Sequence, residues 1–165
     1  MSFSKLSASE LLGVVAAALL VIALFFMDWY SLAADVADRK AGDADAFICG
    51  VDEYSCTGWE TFPIMRWLVL AAAIAPPILA YIVVRGHKLS WSPGELTMVL
   101  GFTVFVLIAY NGIIDPPGAV SGEIGITKEL GYYIALGAAA GIAAGGIGRA
   151  MESQKGNLRK APGTV

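Results

Sequence analysis

Cys49 and Cys56 are the only cysteines in the 165-residue chain. Gly50 and Ser55 lie between them, so a small ring can close. An even cysteine count on the oxidising side of a membrane argues for a structural bridge. Closing so short a ring stabilises a loop by about 2–3 kcal/mol. A thiol relay fits less well, because it uses C-x-x-C and more than one pair. Asp43, Asp45, Asp52 and Glu53 surround the cysteines. A calcium loop would need Gly where Ile48 stands, so the cluster reads as a solvated acidic face that holds no metal. The single histidine, His87, sits between Arg85 and Lys88 and reads as solvated. Neither a Gly-Ser nucleophile motif nor His-Glu-x-x-His occurs. No enzyme and no cofactor is expected.

Arg66 is the other residue with chemical potential, because it lies inside the start of an apolar run. A cation there is costly unless it pairs or reaches the interface. Matching depth along antiparallel helices offers Asp28, Glu60 and Asp115 as carboxylate partners and Asn111 as a neutral one. Trp29, Tyr30, Trp59 and Trp67 flank the same boundary, where amphipathic rings favour the headgroup level. The cluster is read first as an anchor that sets helix depth and second as a recognition site.

The elements that position these residues follow from composition. Apolar residues make up 57% of the chain and charged residues 15%, with 19 Gly and a net charge of −3. Mean hydropathy is +0.68. This excludes a soluble domain, a disordered chain and a nucleic-acid binder. Four apolar runs, at 11–27, 67–84, 96–114 and 130–147, match the roughly 20 residues that cross a bilayer core. No run alternates as a membrane barrel strand would. The prediction is an all-α chain forming one domain over 1–165, an antiparallel four-helix transmembrane bundle with a disulfide-stapled extracytoplasmic loop. Helices are expected at about 9–30, 64–84, 95–114 and 129–148, with the outer loop at 31–62 and a tail at 149–165. The first helix is expected to extend past the bilayer through Trp29 and Tyr30, and to be retained rather than cleaved as a signal peptide. The segment 118–128 is expected to be a plain loop.

Charge sets the orientation. The N-terminus, the 85–95 loop and the tail hold seven Lys and Arg against three Glu, whereas the other face holds four against eleven carboxylates. The positive face belongs inside, so both termini are expected in the cytoplasm of a plasma-membrane protein.

Within the helices, Ser7 and Glu10 fit a capping box. Pro76 and Pro77 predict a kink in the second helix, with Thr103 as donor to the carbonyls they free. Gly137, Gly141 and Gly145 form a small-residue repeat suited to close helix packing, either inside the bundle or against a partner. Polar residues that could line a path are few: Thr97, Thr103, Tyr110 and Asn111.

Asp28-Trp29-Tyr30-Ser31, Gly58-Trp59-Glu60-Thr61-Phe62 and Asp115-Pro116-Pro117-Gly118 follow one another in an order that resembles small, uncharacterised four-span membrane proteins of actinobacteria. This resemblance implies topology and little about activity. A looser architectural likeness is to claudin-type proteins, which have four spans, a Trp and a paired Cys in the first outer loop, and an Arg at the outer end of the second helix. Here Trp29, Cys49, Cys56 and Arg66 follow that outline, although Gly58-Trp59 comes after the cysteines and the loop is shorter. The functional expectation is a structural or accessory subunit whose partners are the bilayer and a membrane protein or a second copy of the chain. The alternative is a small transport or channel component for an ion or lipid.

Overall fold

The computed structural model describes residues 7–32, 55–85, 92–117 and 126–158. Four of its helices are long and apolar enough to cross a membrane. In chain order the elements are α1 (Ala8–Phe26), β1 (Asp28–Leu32), β2 (Ser55–Thr57), α2 (Gly58–Thr61), α3 (Met65–Val84), α4 (Pro93–Ile113), β3 (Ile126–Lys128) and α5 (Leu130–Leu158).

Helix α1 starts as its sequence predicts. Ser7 caps it, accepting from the Glu10 amide at 3.3 Å, while the Glu10 carboxylate accepts from the Ser7 amide at 2.8 Å. These bonds satisfy two groups that a helix start leaves unpaired. The helix ends four residues earlier than expected, because Met27 turns extended at φ −120° and ψ 139°. The segment read as a helical projection is strand β1, and the chain is therefore not all-α. Trp29 and Tyr30 suit a strand better than the Ala-rich stretch after them suggested. The isolated apolar period hid this, since the strand is held by partners far away in sequence.

The sheet has the order β2-β1-β3, with both pairings antiparallel. It joins strands from two distant connecting segments to the chain leaving α1, and β3 lies in the region expected to be a plain loop. Asp28 pairs with Thr57 and Tyr30 with Cys56, so Trp29 is an extra residue on β1. Such a bulge breaks the alternation that would send neighbouring side chains to opposite faces. Trp29 and Tyr30 accordingly both turn inward, 0% and 1% exposed. Their expected place at the headgroup level is corrected to the core.

The spanning helices form a ring: α1 packs on α3 and α5, and α4 packs on α3 and α5. Leu20, Leu24, Val69, Ala72, Val104, Ile108, Ala139 and Ile142 fill the centre. Leu12, Leu19, Phe102, Val106 and Tyr133 face outward, as a bilayer allows. Helix α3 runs through both prolines without a break, and Thr103 is exposed on the outside of the bundle, away from the role of donor assigned to it.

Helix α5 has the lowest hydropathy of the spans yet the largest buried share, about half. Lipid offers no hydrophobic drive between helices, so the helix with the smallest side chains packs closest. A Cβ at Gly145 would lie 2.8 Å from the Ser9 carbonyl oxygen and 2.9 Å from the Gly13 nitrogen. One at Gly141 would meet the Ala16 Cβ at 3.0 Å, whereas one at Gly137 meets nothing within 4 Å. Two members of the repeat thus serve the α1–α5 contact, and Gly137 lies on an open face. The opposite contact, to α4, uses Gly146 and Gly101, which the repeat did not include. Helix α5 also continues ten residues past its expected end, through the first part of the expected tail. Residues 149–155 are mostly good helix formers, and two polar contacts to α1 hold the extension.

Candidate functional site at the sheet end of the bundle

The end of the bundle that carries the sheet is closed by an aromatic plug. Helix α1 leaves its last carbonyls without intrahelical donors once Met27 turns away. The Trp29 indole folds back and donates to the Ala23 carbonyl at 2.8 Å, in a buried setting. Its ring lies edge-on to Phe62 and Tyr132, and Tyr30 packs on the same two rings. Gly58 and Gly112 make room for this packing, since a Cβ at either would overlap Trp29 or Tyr132. The Tyr132 hydroxyl donates to the Ile108 carbonyl at 3.4 Å, and the Glu129 amide to the Trp29 carbonyl at 2.9 Å. The Tyr30 hydroxyl is buried with no hydrogen-bond partner. Burial pushes its phenol above the ordinary range, and neighbouring Tyr132 adds to this.

Arg66 sits beside the plug in a separate group. Its guanidinium lies 4.9 Å from the centre of the Trp59 ring and 5.7 Å from that of Trp67. Nη1 donates to the Trp59 carbonyl at 3.3 Å, while Nε is shielded from solvent with no acceptor. The Trp59 ring also stacks on Phe25 at 4.6 Å and meets Trp67 edge-on at 5.1 Å. Trp67 is 58% exposed on the surface of α3.

The expected polar cluster does not assemble. Among the described residues, Arg66 pairs with neither Asp28, Glu60, Asp115 nor Asn111. Glu60 is occupied locally, accepting from the Thr57 amide at 3.0 Å and hydroxyl at 2.9 Å at the start of α2. Asn111 donates to the Leu107 carbonyl at 2.9 Å and to the Met65 sulfur at 3.3 Å. Asp28 lies in the β1 ladder and Asp115 is exposed beyond α4. Depth matching put these groups at one level but could not say which way each faced around its helix.

Cys56 lies in β2, 1% exposed, and its sulfur accepts from the Thr61 hydroxyl at 3.2 Å. Cys49 and the acidic residues Asp43, Asp45, Asp52 and Glu53 lie outside the described residues.

A second polar group, at the opposite end, was missed in the sequence. Arg149 of α5 forms an ion pair with Glu10 of α1, and the Ser9 hydroxyl donates to Glu152 at 2.9 Å. Beside them a cavity of about 20 Å³ lies between the helix ends, lined in part by Thr97, Gly94 and Pro76. That volume suits a water rather than a substrate. The signal was present, because Glu10 and Arg149 stand at the same depth on helices that begin and end on one side. Glu10 thus serves both its own helix start and the α1–α5 contact.

No family model, curated protein or solved structure matches this chain.

Proposed function

We propose that this chain is a non-enzymatic structural or accessory subunit of the plasma membrane, akin to the four-span proteins it resembles, with both termini in the cytoplasm. It binds a membrane-protein partner or a second copy of itself through its outer loop or its fourth spanning helix, α5. The observation that carries this reading is the packed interior. The centre of the ring is filled by Leu, Ile, Val and Ala, and the aromatic plug covers its outer end. The residues that could have lined a path support the channel alternative poorly. Thr103 and Tyr110 face outward, and Thr97 and Asn111 bond carbonyls of their own helix at 2.9 Å. A conducting path needs a line of polar groups or water through the bundle.

Two surfaces remain for a partner. Gly137, Ala140 and Ala144 lie exposed along one stripe of α5, where small side chains let another helix approach closely. The outer loop is the other, and we assign it a Cys49–Cys56 bridge. No described cysteine is free, and the chain has only these two. Such a bridge would tie the loop to β2 and so to the sheet.

The test is photo-crosslinking in native membranes from positions 137 and 45, followed by identification of the adduct. A discrete adduct with one protein or with the chain itself is the expected result. Lipid adducts alone at both positions, together with ion or lipid flux in reconstituted vesicles, would favour the transport alternative and refute the accessory reading.

A further inference from the structure

The Arg66 group has a feature that the anchor reading leaves unexplained. An Arg guanidinium carries five N–H donors, and a buried donor without an acceptor is expensive. Here the Trp59 carbonyl takes one, Nε is sealed off by the protein and out of a ligand's reach, and the rest of the part-exposed guanidinium meets no described carboxylate. Two indole rings frame the group and hold its plane in place. Beside it the Trp67 ring is 58% exposed and presents an apolar face next to the cation. A part-exposed cation at the end of a spanning helix, beside the exposed Trp67 ring, matches the phosphate and the adjoining chains of a phospholipid. Guanidinium geometry suits a phosphate better than an ammonium would, because its fork donates two parallel bonds.

We propose that Arg66, framed by Trp59 and Trp67, binds the phosphodiester of a bilayer phospholipid through its part-exposed guanidinium, with the Trp67 ring against the lipid's acyl chains. The proposal rests on the four-span reading and is independent of any protein partner. It goes beyond depth anchoring, since an anchor needs only water and averaged headgroups whereas this site holds one lipid in register.

The experiment is native mass spectrometry of the full chain in a glycoside detergent, which carries no phosphate. The probes are phosphatidylglycerol, a diacylglycerol with the same chains, and inorganic phosphate. The expected result is one tightly held phosphatidylglycerol, with diacylglycerol binding about tenfold more weakly, as loss of a charge-assisted pair implies. Arg66→Gln should lower phosphatidylglycerol binding by a similar factor and leave diacylglycerol binding unchanged. Arg66→Lys keeps the charge but not the fork, and should fall between. It also serves as the readout if Arg66→Gln fails to fold. Equal binding of the two lipids, or Arg66→Lys and Arg66→Gln both matching the parent chain, would overturn the proposal. Displacement of the lipid by millimolar phosphate would identify a free-anion site and also overturn it. Loss of a co-purifying protein without change in lipid binding would assign Arg66 to a partner's carboxylate instead.

Discussion

The three glycines of the α5 repeat should respond to alanine in opposite directions. In the sequence Gly137, Gly141 and Gly145 are equivalent, but the bundle makes them different. At Gly145 the new methyl would stand 2.8 Å from the Ser9 carbonyl and 2.9 Å from the Gly13 nitrogen, both backbone atoms that cannot rotate away. To restore ordinary contact α1 must retreat by about 0.6 Å, a gap that forfeits a quarter to a half of each dispersion contact along that seam. Overpacking of this kind costs about 1–3 kcal/mol. At Gly141 the neighbour is the Ala16 Cβ at 3.0 Å, so a smaller loss is expected. At Gly137 nothing lies within 4 Å, and removal of a helix-interior glycine should contribute up to about 1 kcal/mol of stability. The assay is unfolding of each variant in mixed micelles with increasing denaturing detergent, followed by tryptophan fluorescence. The expected order of stability is Gly137→Ala, then the parent chain, then Gly141→Ala, then Gly145→Ala. A Gly145→Ala variant as stable as the parent would refute the α1–α5 seam. A Gly137→Ala variant as unstable as Gly145→Ala would mean that Gly137 faces a neighbouring helix within the solubilised species, which a lone bundle does not provide.

Tyr30→Phe removes a buried hydroxyl that has no partner and should stabilise the fold by about 1 kcal/mol in the same assay. The Tyr30 phenol is raised above its ordinary 10.0 on folding, so the unfolded chain ionises first; stability should therefore be full below pH 10 and fall as pH rises above it, and Tyr30→Phe should flatten that fall in thermal melts at pH 9 to 11. Arg149→Leu leaves the largely buried Glu10 carboxylate without its cation and should cost about 3 kcal/mol, part of which Glu10→Gln added to it recovers, because the uncompensated charge is then gone. Cys49→Ser should leave Cys56 reactive to a thiol reagent in unfolded, unreduced protein, whereas the parent chain should react at neither position; reaction of both cysteines in the parent would defeat the bridge. Cysteines introduced at positions 45 and 154 should label from outside and inside respectively, and labelling of position 154 from outside would reverse the orientation.

Much of the architecture is legible in the residues alone. Four runs of bilayer length are set by composition, because a backbone in lipid must bond within its own segment and a helix does so without help from elsewhere. The start of α1 is equally local, since Ser7 and Glu10 satisfy each other across three residues. What the sequence could not decide is whatever depends on facing. The β1 strand exists because Thr57 and Lys128 arrive from distant segments to pair with it, and the bulge at Trp29 turns two neighbouring rings inward where either local pattern would have split them. The same limit applies to Arg66. Its depth was readable, but its neighbours are a carbonyl and two indoles rather than the carboxylates at its level, because Glu60 closes its own short helix and Asn111 closes on Leu107. The glycine repeat announced close packing without naming the seam, and only the ring of helices sends Gly141 and Gly145 to α1 and leaves Gly137 on an open face. Length and polarity are properties of a segment, whereas rotation about a helix axis and strand pairing are properties of the whole fold.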